Sequence, residues 1–88
     1  MASQSKIPKD IFRSAAILFF GILTGHPFVD GNKRTATAIL ETFLSKNSKE
    51  LIAEDKEIWK TVHEISEGKM NFEETLNWVK KNAKQKNN

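Results

Sequence analysis

The sequence predicts an all-α protein, a compact bundle of about four short helices with its chemistry-bearing loop between helices one and two. Three observations carry that prediction. Apolar residues recur at spacings of three and four in four separate stretches. Glycine, proline, aspartate and asparagine fall between those stretches. No run alternates at period two, so strands are not expected.

The first helix is expected to begin at Pro8, which fits an opening turn, with Asp10 placing a carboxylate near the positive helix end. Ile11, Ala15, Leu18, Phe19, Ile22 and Leu23 form its stripe. Phe12, Ala16 and Phe20 widen it until most sides are apolar, so this helix should lie centrally, covered by the others. Gly25 is expected to close it in the left-handed conformation, and Pro27 disfavours helix at His26. Asp30-Gly31 reads as a turn and Asn32 as the cap of a second helix, with Ala36, Ile39, Leu40, Phe43 and Leu44 inward. Lys46 to Lys49 break the pattern as a loop.

A third helix is expected over Asp55 to Glu67, with Ile58, Trp59, Val62 and Ile65 buried and Gly68 as its stop. Asn71 and Glu74 resemble a capping box for a fourth, whose inward side is Phe72, Leu76 and Val79. The domain plan is therefore a mobile start over residues 1–7, a core over 8–80 and a Lys/Asn-rich tail over 81–88.

Composition narrows the function. Eighty-eight residues, 39% of them hydrophobic, allow one domain with a thin core, and the absence of cysteine excludes disulfides and thiolate metal sites. It also suits a reducing, cytoplasmic setting. The apolar run from Ala15 to Leu23 is well short of the roughly 20 residues that span a bilayer, and no secretory leader pattern precedes it. A soluble, uncleaved protein is expected. The net charge is +3, but Lys80, Lys81, Lys84 and Lys86 lie in the last nine residues. The remainder is slightly acidic, so the lysines read as a frayed, solvated terminus and not as a nucleic-acid arm. Glu50, Glu54, Asp55 and Glu57 lack a repeated oxygen-ligand spacing, which argues against calcium.

The informative stretch is His26-Pro27-Phe28-Val29-Asp30-Gly31-Asn32-Lys33-Arg34. Helix starts leave their first backbone N–H groups unpaired and carry partial positive charge, so they bind anions. Gly31 can bend successive N–H groups toward one oxygen. Lys33 and Arg34 stand where cations oppose the helix dipole, a cost that a bound anion would offset. Asp30 beside phosphates is the arrangement that holds Mg2+, and His26 can take a proton from an attacking hydroxyl. Taken singly, each residue has a plain structural use as a cap, a turn or a solvated charge; the combination is what points to phosphate transfer.

HPFVDGNKR resembles the signature of the Fic and Doc superfamily, H-P-F-x-D/E-G-N-G/K-R, at every specified position. The resemblance spans about residues 8 to 80. It implies that His26 is the base activating a hydroxyl on a target protein, that Asp30 holds Mg2+, and that Gly31, Asn32, Lys33 and Arg34 bind the phosphates of ATP. The AMP-transferring members resemble this chain less at two places: they have glycine at Lys33 and a second arginine at Thr37. Lys33-Arg34-Thr35-Ala36 looks like the Doc branch, whose toxins move the γ-phosphate of ATP to a threonine of a translation elongation factor. Gly31 and Pro27 match the other pattern, so the chain mixes the two. Adenylyl transfer is the alternative chemistry, and a catalytically silent binding module the alternative class.

The family's inhibitory motif needs Ser or Thr four residues before a Glu-Gly or Glu-Asn pair, and Glu67-Gly68 has His63 there. The resemblance therefore implies an antitoxin partner that inserts a helix near the site. Family members also carry a flap that holds the target backbone by strand addition. Seven residues before the first helix are too few for one, so a minimal, truncated or inactive version is expected. Trp59 is expected in the core or in a partner contact, Trp78 at the core's edge and partly exposed on an antitoxin-facing surface, and His63 at the surface or its boundary.

Overall fold

The computed structural model describes residues 10–25 and 30–86, with the side chains of residues 30–32 outside the description. Asp10 opens the first helix by accepting the Arg13 backbone N–H on Oδ1 at 3.0 Å, which satisfies one of the helix start's unpaired donors. Helix α1 then runs Ile11–Gly25, α2 Asp30–Lys46, strand β1 Lys49–Leu51, α3 Asp55–Ser66, α4 Phe72–Asn82 and β2 Ala83–Gln85. The described residues form the expected all-α bundle of four helices. Pro8 and the opening residues 1–7 lie outside the described residues.

Helix α1 is the hub, packing on α2, α3 and α4. Its buried line, Ala15, Ala16, Phe19 and Leu23, meets Ala36, Leu40 and Leu44 of α2 and Leu76 and Val79 of α4 within one core that Ile58, Val62 and Ile65 of α3 complete. Phe19 stacks on Trp78 of α4 with ring centroids 6.1 Å apart and planes 16° apart. The Trp78 indole N–H donates to Glu57 Oε2 of α3 at 3.2 Å. Trp78 thus ties three helices together at the edge of the core. Phe20 meets Phe72 edge-on at 5.7 Å, and Arg13 lies over that same ring.

Both later helix ends follow their sequence signals. Asn71 accepts the Glu74 N–H while Glu74 accepts the Asn71 N–H, completing the capping box of α4. At the end of α3, Gly68 adopts φ 78°, Lys69 N–H donates to Glu64 O at 2.8 Å and Gly68 N–H to Ile65 O at 3.1 Å. That pair of bonds is a Schellman turn, which needs the left-handed residue that glycine supplies without strain.

Five expectations are corrected. First, two short strands exist: β1 and β2 pair antiparallel in the register Lys49–Gln85, Glu50–Lys84, Leu51–Ala83. Three residues per strand leave no periodicity to read, and the pairing joins segments more than thirty residues apart. Second, the terminus is not frayed through residue 86. Lys80 and Lys81 form the last turn of α4, favourable for cations at a helix C-terminus. Lys86 donates from its backbone to Ser48 O and from Nζ to Ser45 Oγ, each at 2.9 Å. Third, Gly25 is the last residue of α1 without positive φ; beyond Gly68, the left-handed position among the described residues is Ser48, φ 63°, in the turn between α2 and β1.

Fourth, Trp59 is 38% exposed. It lies one residue, about 100°, past Ile58, and the inward place one turn on is taken by Thr61 and Val62. Fifth, α1 is not covered all round: Ile17 is 55% and Leu18 38% exposed. Three partner helices cover three sides of α1, and none of the described elements covers the fourth. Among the described residues no helix is long and apolar enough to cross a membrane.

Candidate functional site

The start of α2 is placed by its own inward face. Ala36, Leu40 and Leu44 are fully buried at spacings of four, which fixes the rotation of the helix about its axis. Lys33, three residues before Ala36, therefore sits on the side nearest the core and is half-buried. Arg34, two residues before Ala36, is carried about 200° round and is exposed. The two cations flank the helix start from different sides. Thr37 caps this arrangement by donating from Oγ1 to Lys33 O at 3.1 Å.

Asn32 is already helical, since α2 is described from Asp30; it lies in the first turn and is not the cap that the sequence suggested. The backbones of Asp30, Gly31 and Asn32 form that turn, where N–H groups lack intrahelical acceptors and the dipole is positive. Their side chains, and His26 with Pro27, Phe28 and Val29, lie outside the described residues. The structure thus brings Lys33 and Arg34 to one helix start together with the backbone of residues 30–32. Among the described side chains, no carboxylate is within ion-pair distance of either cation.

One neighbour went unassigned by sequence. The last turn of α3 brings His63 beside Lys33: Lys33 Nζ is 3.5 Å from His63 Nδ1, which is 3.7 Å from Glu67 Oε2. Lys69 Nζ approaches the other oxygen, Glu67 Oε1, at 3.4 Å. His63 is at the surface, as its sequence position suggested, and the signal for its second role was the His-x-x-x-Glu-Gly spacing, which stacks His63 and Glu67 on one face just before the turn. No group of three or more histidines, aspartates or glutamates gathers in metal-binding geometry among the described residues.

Chemically, this helix start can hold a polyanion through backbone N–H groups and two cations of different reach. Lys33 is a point charge on a flexible stem; Arg34 offers a planar fork suited to phosphate oxygens. No curated protein and no solved structure matches the chain. Residues 2–44, just under half of it, match the model of the Fic/DOC family, a span that takes in α1, the HPFVDGNKR segment and α2 as far as Leu44.

Proposed function

We propose, from the Fic/DOC match and the signature at the start of α2, that this chain is a Fic-type transferase and, more narrowly, that it moves the γ-phosphate of ATP to a hydroxyl of a target protein. The match over residues 2–44 supports the broader statement. Support for the narrower one comes from Lys33: it is half-buried and side-on to the helix start, where the AMP-transferring pattern has glycine. A long cation there adds charge for a terminal phosphate and takes up room that an adenylyl group would need.

Each residue then has a defined task. Backbone N–H groups of Gly31 and Asn32 with Lys33 and Arg34 hold the phosphate chain and balance the charge that spreads over its oxygens in the transition state. His26 receives the proton of the target hydroxyl as that oxygen forms its bond to the γ-phosphorus, and the bond from the γ-phosphorus to the bridging oxygen breaks to release ADP. Asp30 would hold Mg2+, which when bound neutralises phosphate oxygens. The restraint on such an activity would be an antitoxin protein, the target a translation elongation factor, and the compartment the cytoplasm, in keeping with the cysteine-free composition.

Incubation with an acceptor-containing cell extract and Mg-ATP labelled separately at the α and γ positions decides the chemistry. Protein-bound label is expected from γ and not from α. Label from α alone would show adenylyl transfer, the reading that Gly31 and Pro27 favour. No label from either, with no nucleotide bound, would leave a binding module.

A further inference from the structure

Among the described side chains, Lys33 at the start of α2 meets His63 of α3. Lys33 Nζ lies 3.5 Å from His63 Nδ1, thirty residues away in sequence. An ammonium has donors and no acceptor, so a hydrogen bond between the two requires the tautomer in which Nδ1 is unprotonated. His63 is fixed in turn by its place on the last turn of α3, where the Schellman turn at Gly68 ends the helix and sets Glu67 below it.

We propose that His63 is a positioning residue for Lys33, holding the ammonium against the end of α3 so that it faces the phosphates bound at the start of α2. The inference rests on the phosphate-binding role proposed for Lys33. A lysine side chain in solvent spreads over many rotamers, and ordering it at the moment of binding has an entropic cost. A neutral acceptor at the right distance reduces that cost without neutralising the charge, which an ion pair with a carboxylate would do. Glu67 Oε2 lies 3.7 Å from the same nitrogen, and the other oxygen of that carboxylate, Oε1, is engaged by Lys69 at 3.4 Å. Lys33, His63, Glu67 and Lys69 make a row in which the cation nearest the helix start is oriented by a neutral neighbour.

The test is a double-mutant cycle on Mg-ATP affinity. His63→Ala is expected to weaken binding about threefold, the scale of one exposed hydrogen bond to a charged group. His63→Asn, whose Oδ1 falls where Nδ1 stood, is expected to restore it. In a Lys33→Met background His63→Ala is expected to do nothing further. Equal weakening by His63→Ala in both backgrounds, or none in either, would overturn the inference. Nitrogen-15 spectra of the His63 ring give a readout independent of nucleotide. Nδ1 is expected to be the unprotonated nitrogen in the parent chain, with the tautomer balance shifting in Lys33→Met; an unchanged spectrum would overturn the positioning role. If the parent chain binds no Mg-ATP, the functional proposal fails, and the ring spectra alone decide whether His63 holds Lys33.

Discussion

His26→Ala is expected to lower transfer of label from ATP to protein by about 10²- to 10⁴-fold, the range supplied by a positioned general base. On the proposed mechanism the loss falls on the transfer step and not on nucleotide binding, because there the imidazole would act on the attacking hydroxyl while residues 31–34 would carry the phosphates. Affinity for Mg-ATP in the variant should stay close to that of the parent. In the chain His26 falls between Gly25, the last residue of α1, and Asp30, the first of α2, and an unfolding curve of the variant recorded beside the parent's shows whether the loss is one of chemistry or of folding. Single-turnover transfer measured beside equilibrium binding separates the effects. Undiminished transfer would remove His26 from the chemistry. Equal losses in binding and transfer would make it a phosphate ligand instead.

The largest effect on stability is expected at Phe19. Its side chain is fully buried at the centre of α1 and stacks on Trp78, which also donates to Glu57. One ring therefore joins α1 to α4 and, through Trp78, to α3. Phe19→Ala should cost about 3–5 kcal/mol, combining lost transfer energy with a cavity that surrounding helices fill only in part. A domain of this length has on the order of 4–13 kcal/mol in total, so the variant should be mostly destabilised toward unfolding. Phe19→Leu keeps most of the volume and should cost under about 1.5 kcal/mol, giving a folded comparison. Urea unfolding followed by the tryptophan signal checks both. A loss below about 1 kcal/mol for Phe19→Ala would show that the α1–α4 contact is not central to the core.

The helices were legible because each has a stripe wide enough to fix its period and an end signal with a local cause. Asn71 with Glu74 caps α4 and Gly68 ends α3, both through hydrogen bonds within a few residues of the signal. What the sequence did not disclose depends on partners distant in the chain. Lys49–Leu51 becomes a strand because Ala83–Gln85 arrives beside it, and three residues hold too little pattern to announce that. Trp59 is exposed and Leu18 partly so because burial depends on which neighbour takes each side of a helix, a choice that periodicity alone does not make.

The candidate site divides in the same way. HPFVDGNKR is readable as a unit in the sequence, and α2 begins within it, at Asp30, three residues before Lys33, the first helical residue that an Asn32 cap implies. His63 was read as a surface residue, since nothing in its neighbourhood of sequence mentions Lys33. The link appears only once α3 has folded back against α2, where the Gly68 turn fixes the end of the helix.

The central claim is that the first turn of α2 binds the phosphates of a nucleotide. Backbone amide spectra recorded while Mg-ATP is added test it most directly. Saturable shifts centred on Gly31, Asn32, Lys33 and Arg34, with smaller ones at His63, are the predicted result. Saturable binding centred elsewhere, for instance on the exposed face of α3 around Trp59, or no binding at millimolar nucleotide, would contradict it.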